Sequence, residues 1–363
     1  MSYRLNVLTA FSLVVPGLIS PLSLNAGNPP GKNIEMVFHY GSIVPHHDFM
    51  HDFMEGPLMA GEVKIGFQTH GKLAWEQLYN YPRYGFGYYF GTIGNPDILG
   101  LPNAVYSFFD VPLIKKNRFS FNTQMALGVS YNFHIYDPAT NPLNLAIGCN
   151  PNVFFYFNLN AGFRLSDRIT LKQAANFTHF SNGAVKMPNT GFYMLDYYAA
   201  LQYDLDDHLP NPYRHELPAI EKRNQMFFLI ASGAKQVYYQ QDHYLMATLS
   251  AGYYRLIGRI NKVGGGVDLF YDASLERNEP GGLPFGWLIR QGFFAAHELL
   301  IHRFSLVVQQ GFYGYRKMNL HQKYYSRLGI KYQLMNGLFL NISLKSHWGK
   351  ADFIEWGFGY LLK

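Results

Sequence analysis

The stretch Phe119-Ser120-Phe121-Asn122-Thr123-Gln124-Met125-Ala126-Leu127-Gly128-Val129-Ser130-Tyr131-Asn132-Phe133 decides the fold class. Its odd positions are Phe119, Phe121, Thr123, Met125, Leu127, Val129, Tyr131 and Phe133, and its even positions are small or polar. A period of two over this length is a strand with two chemically different faces, and helical spacing cannot produce it. Val153 to Leu165 repeats the split, with Val153, Phe155, Phe157, Leu159, Ala161 and Phe163 opposite Asn158, Asn160, Gly162 and Arg164. Leu338 to Ser346 does so again, with Leu338, Leu340, Ile342 and Leu344 opposite Asn341, Ser343 and Lys345. Strands of a soluble sandwich are shorter, about five or six residues. Strands of about ten residues with apolar residues outward suit a closed transmembrane antiparallel β-barrel, where every backbone donor is paired within the ring.

Composition agrees. Of 363 residues 48% are hydrophobic and only 15% charged, which excludes a disordered chain. The 28 Tyr, 30 Phe and 35 Gly suit aromatic interface girdles and close strand packing. Past the N-terminus no apolar run reaches the 18 residues that a membrane-crossing helix needs. The formal charge of +6 favours an acidic partner such as a phosphorylated lipid. At the start, Arg4 precedes an apolar segment from Val7 to Leu24 and the small-residue sequence Leu24-Asn25-Ala26, so residues 1–26 read as a signal peptide for export to the outer membrane of a Gram-negative cell.

The connections are unequal. Short turns at Lys115-Lys116-Asn117, Ser166-Asp167-Arg168 and Met335-Asn336-Gly337 contrast with long loops at 134–150 and 275–286, the asymmetry of outer-membrane barrels. Counting segments gives about 16 strands, with 12 or 14 also admissible. Residues 27–363 are expected to form a single barrel domain, in which 205–223 link two halves and the last segment, Phe353 to Leu362, pairs with the first.

One stretch carries chemistry: Asn176-Phe177-Thr178-His179-Phe180-Ser181-Asn182-Gly183, followed by Pro188-Asn189-Thr190-Gly191. His179 and Ser181 are two apart, so on a strand they share a face, and a base beside a hydroxyl is the minimum of a serine nucleophile. Parity puts the pair with Leu171, Ala175 and Phe177 on the lipid side. Polar groups are costly there, but an enzyme that attacks a membrane lipid needs them there. With a periplasmic N-terminus the strand ending at Ser181 runs upward, toward the outer leaflet.

This combination, His-x-Ser-Asn and then Pro-Asn-x-Gly, resembles the motif of the PagL family of outer-membrane lipid A deacylases. Tyr136-Asp137-Pro138-Ala139-Thr140-Asn141-Pro142-Leu143-Asn144 is similar to a segment of the longer Bacteroidetes-type members grouped as acyloxyacyl hydrolases. The resemblance implies that Ser181 attacks an ester carbonyl of lipid A and that His179 is its base. Asn182 and Gly183 would hold the oxyanion. The family's third member is an acid fourteen residues after the histidine, and here that position is Tyr193. Tyr193, Asn189 and Asp196 are the candidates for orienting the imidazole, although the parity of Asp196 points it into the lumen. The family's short members have eight strands, so the length here is a departure.

The resemblance implies lipid A or lipopolysaccharide as substrate, surrounding membrane lipid, no nucleic acid and no cofactor, and it leaves room for a homodimer. Two alternatives stand beside it: an outer-membrane phospholipase A using His-x-Ser-Asn-Gly with calcium, and a non-catalytic pore or structural barrel. Pro45-His46-His47-Asp48-Phe49-Met50-His51-Asp52 has metal-like spacing but reads as a polar rim loop. Trp287, Trp348 and Trp356 read as interface anchors, and Cys149 as a loop thiol without a role.

Overall fold

The computed structural model describes residues 30–206, 212–214, 216–217, 219–220, 223–279, 281–317 and 322–362, so the expected signal peptide lies outside the described residues. Eight strands come first: β1 Gly31–Ile43, β2 Leu58–Gln68, β3 Arg83–Ile93, β4 Gly100–Lys116, β5 Phe119–Phe133, β6 Asn152–Arg164, β7 Ile169–Ser181 and β8 Phe192–Asp204. Eight more follow: β9 Asn224–Lys235, β10 Tyr244–Leu256, β11 Asn261–Asp272, β12 Ile289–Ile301, β13 Phe304–Arg316, β14 Tyr324–Met335, β15 Leu338–His347 and β16 Lys350–Leu362. All neighbours are antiparallel, as the alternating patterns require.

The strands close as two eight-stranded barrels, β1–β8 and β9–β16, and the expected single ring is corrected. β1 pairs with β8, His39 opposite Tyr198. β16 pairs with β9 and not with β1, Phe358 opposite Ile230. The physical reason lies in the lumen. A ring of about eight strands is just wide enough to be filled by side chains, and larger rings leave a channel. The inward positions here are bulky: Tyr89, Tyr106, Phe154, Tyr156 and Tyr198 in the first barrel, and Phe227, Tyr254, Phe270, Tyr325 and Phe339 in the second, all buried.

In the first barrel the fold is inside out relative to a soluble protein. Along β1, Asn33, Glu35, Val37 and His39 are buried while Met36, Phe38 and Tyr40 are exposed. The lumen holds large charged groups where small polar ones were expected. Glu35 meets Lys64 at 3.3 Å, Lys172 at 3.0 Å and Arg83 at 2.5 Å, and it accepts a hydrogen bond from Tyr198. Lys64 also reaches Glu62 at 2.9 Å. Buried ions survive only when paired and hydrogen-bonded in this way.

The second barrel repeats the device with different residues. Arg327 pairs with Glu355 at 2.6 Å, Lys331 with Glu298 at 3.1 Å, and Lys345 and Lys235 both with Asp352 at 2.6 Å. The ammonium of Lys331 also lies over the rings of Phe227 and Tyr254, 4.8 and 4.7 Å from their centroids. Turns are tight at one end: Asn336 and Gly337, both with positive φ (42° and 89°), form the two-residue hairpin that joins β14 to β15.

Candidate active site

The side chain of Phe180 is fully buried in the first barrel, packed on Phe133 and Phe154 with centroids 5.2 and 5.3 Å apart. Because β7 alternates, this inward anchor turns His179 to the outer face, and Ser181 follows as the last residue of the strand, where the alternation of burial ends. Both sit at the end of the strand, and Ser181 is 8% exposed.

The imidazole is fixed from β8. Its Nδ1 lies 2.9 Å from the carbonyl oxygen of Phe192, so in the neutral ring the proton is assigned to Nδ1 and Nε2 is the basic nitrogen. Tyr193 is the cross-strand partner of His179, and the two rings stack with centroids 4.8 Å apart and planes 24° apart. Tyr193 also meets His46, 4.5 Å between centroids, and Phe177 at 5.9 Å. A backbone bond ties the chain just after β1 to this place, from the Val44 amide to the Tyr193 carbonyl at 2.7 Å.

The loop after Ser181 is a self-clamped turn. The Asn182 side chain donates to the Lys186 carbonyl at 2.8 Å and accepts from the Lys186 amide at 3.3 Å. The Asn182 amide donates to Asn189 Oδ1 at 2.8 Å. Gly183 and Ala184 are both left-handed, with φ of 66°. A Cβ on Gly183 would stand 2.5 Å from Ile354 Cγ1, so both backbone and space require glycine there. The loop Ile135–Cys149 runs alongside: the Thr190 and Gly191 amides donate to the carbonyls of Leu145 and Ala146 at 3.4 and 3.1 Å. By their contacts Ile135–Cys149 and Ser181–Gly191 group with the second barrel in one compact unit.

These positions sort the candidate orienting residues. Asp196 points into the lumen, where it holds His39 at 2.6 Å and accepts from Asn176 at 2.9 Å, so it serves the interior. Asn189 holds the Asn182 amide, and Tyr193 offers its ring face to the imidazole. The group hydrogen-bonded to Nδ1 is a main-chain carbonyl, which no side-chain motif could reveal. The clamp also narrows what Asn182 can give an oxyanion: its backbone N–H is held by Asn189 and its side-chain amide by Lys186 and the Cys149 thiol, which leaves the Gly183 amide as the donor that the proposed hole would use.

Two more residues stand closer to the site than their sequence readings suggested. Cys149 lies against Asn182 and Lys186; burial pushes its thiol above the ordinary range while those two neighbours pull it down. His46 belongs to the aromatic stack, and His47 packs on Phe49, centroids 5.7 Å apart. Among the described residues no group of three or more His, Cys, Asp or Glu side chains could hold a metal ion.

Comparison with known proteins follows the two barrels. The family profile "Lipid A 3-O-deacylase (PagL)" matches residues 60–202, and "Acyloxyacyl hydrolase, C-terminal domain" matches residues 224–363. No curated protein matches the chain. Similar solved structures include two mutants of Rh. blastica porin. They are 9% and 8% identical, each match covering 91% of this chain and 99% of the porin, with TM-scores of 0.20 and 0.18. Scores this low carry no argument.

Closed antiparallel barrels together with these matches define the class: the protein is a β-barrel ester hydrolase. More particularly, the chain belongs to the PagL family of lipid A deacylases through residues 60–202, and residues 224–363 are an acyloxyacyl hydrolase C-terminal domain.

Proposed function

We propose that Ser181 is the nucleophile of this lipid A deacylase, that His179 is its general base, and that the reaction takes place at the outer face of an outer-membrane barrel. The observation that carries the reading is the fixed imidazole: with Nδ1–H held by the Phe192 carbonyl, the basic Nε2 belongs to a ring on the same strand face as Ser181, two residues on. Ser181 Oγ attacks the ester carbonyl as Nε2 takes its proton. The tetrahedral oxyanion is met by the Gly183 amide, with Asn182 shaping the turn that aims it, and collapse expels the sugar oxygen, which takes the proton back from His179. Water then repeats the sequence on the acyl-enzyme, releasing the fatty acid. The 3-O ester named in the family's description is the bond we assign.

The surface around the pair supports a lipid substrate. Below His179 on the outer face runs a shallow groove of about 410 Å³, with Ala175 between walls formed by Phe157, Leu159, Phe177, Leu195 and Tyr197. An acyl chain lying along β7 would fill it. Outward residues such as Met36, Phe38, Ile65, Phe90 and Leu201 are largely exposed, and so much uncovered apolar surface is stable in lipid, not in water. The filled lumens argue against the alternative of a pore.

The test offers purified protein lipid A and phospholipid side by side, each with and without calcium. Fatty acid released from lipid A without calcium supports the proposal. Release from phospholipid alone, dependent on calcium, would replace it with a phospholipase.

A further inference from the structure

We infer that the second barrel serves catalysis by holding the loop that carries the nucleophile, and that Gln236 is the positioning residue through which it does so. This inference rests on Ser181 being the nucleophile.

Gln236 follows directly on β9, belongs to the second barrel and is buried. Its amide donates to the Ala184 carbonyl at 3.0 Å. Its side-chain Oε1 accepts from the Met187 amide at 2.9 Å, and its Nε2 donates to the Gln241 carbonyl at 2.6 Å. One residue thus grips the 182–191 loop at two places, with its main chain at Ala184 and its side chain at Met187, while the side chain is braced from its own side. Ile354 of β16 closes on the same turn at Gly183.

The grip falls where the loop most needs it. Gly183 and Ala184 are consecutive left-handed residues, and Ala184 carries a Cβ that disfavours that conformation. Such a turn persists only when its surroundings over-determine it. Here those surroundings are the Asn182–Lys186 clamp, the 135–149 loop and Gln236. The Gly183 amide is aimed by this turn, and a donor displaced by about 1 Å costs on the order of 100-fold in rate. A supporting contact that fixes a donor's aim therefore acts on turnover more than on binding.

The experiment compares the full-length protein with Gln236→Leu and Gln236→Glu. It reads kcat and KM on lipid A, the rate at which a fluorophosphonate probe labels Ser181, and the folded fraction from heat-dependent gel mobility. Gln236→Leu is expected to lower kcat and labelling at least tenfold with KM within twofold and the folded fraction unchanged. Gln236→Glu keeps an acceptor for the Met187 amide and is expected to restore most of the loss. Unchanged kcat and labelling in Gln236→Leu, or a loss that only follows the folded fraction, would overturn the inference while leaving Ser181 as nucleophile. If Gln236→Leu alone misfolds, Gln236→Met, which lacks the acceptor at nearly the same length, decides: wild-type kcat overturns the inference, and tenfold lower kcat at wild-type KM supports it. A native protein that neither labels at Ser181 nor cleaves lipid A would overturn the underlying assignment and this inference together.

Discussion

The ring of His179 lies nearly parallel to that of Tyr193, 4.8 Å between centroids, while its Nδ1 meets the neighbouring Phe192 carbonyl at 2.9 Å. The family pattern puts an acid where Tyr193 stands. With His179 as the proposed base, the two contacts would divide that acid's work: the carbonyl would set the tautomer, and the tyrosine face would receive the positive charge that forms on the ring during attack. Neither contact is an ion pair, so the imidazolium is stabilised less than beside a carboxylate.

It follows that Tyr193→Leu, which removes the aromatic face, lowers kcat about fivefold, equivalent to ~1 kcal/mol of cation–π stabilisation. Tyr193→Glu supplies a carboxylate opposite His179 and raises kcat about tenfold or more above Tyr193→Leu. Steady-state release of fatty acid from lipid A checks both. A Tyr193→Glu protein slower than Tyr193→Leu would show that the tyrosine is not standing in for an acid.

The turn after Ser181 makes a second set of expectations. Asn182→Ala breaks both bonds to Lys186 and is expected to reduce kcat between about tenfold and 100-fold. Asn189→Ala frees the Asn182 amide and gives a smaller loss, whereas Asn189→Asp keeps the accepting oxygen and stays within about threefold of wild type. Equal activity of Asn189→Ala and Asn189→Asp would remove this bond from the account.

Cys149 offers a chemical handle on the same turn, because its thiol lies against Asn182. Alkylation with a maleimide is expected to inhibit the enzyme, and Cys149→Ala to stay active and resist the reagent. Inhibition of Cys149→Ala to the same extent would place the reagent's effect elsewhere.

In the first lumen Lys64 neutralises Glu35 and Glu62. Lys64→Met leaves two carboxylates short of a partner and should cost about 3–5 kcal/mol, seen as a lower urea midpoint in detergent, while Lys64→Arg costs less. The filled lumens also predict no ion conductance in planar bilayers. Steady single-channel currents from the intact protein would contradict the interior described here.

How much of this was readable in advance follows from what a strand pattern encodes. Alternation in Phe119 to Phe133 and Leu338 to Ser346 states which face each residue takes, and those faces are found as expected except at the end of the first stretch, where the left-handed Asn132 (φ 68°) breaks the alternation and Phe133 is buried instead of facing outward. It does not state which edges meet, so β16 was joined to β1 when its partner is β9. The bulk of the inward residues, Tyr106 and Tyr156 against Tyr254 and Tyr325, was the available clue to two narrow rings. At the site, His179 and Ser181 were visible because their chemistry is local to one strand. Phe192 acts through its backbone, His46 arrives by the pairing of β1 with β8, and Gln236 comes from more than forty residues further on; none of these leaves a mark in the local pattern.

The most direct test of the central claim is mass spectrometry of lipid A from membranes carrying the native protein or Ser181→Ala, each shown to be folded and inserted. Loss of one ester-linked acyl chain with the native protein and none with Ser181→Ala is the predicted result. Identical lipid A from both, or the same loss from both, would contradict Ser181 as the nucleophile.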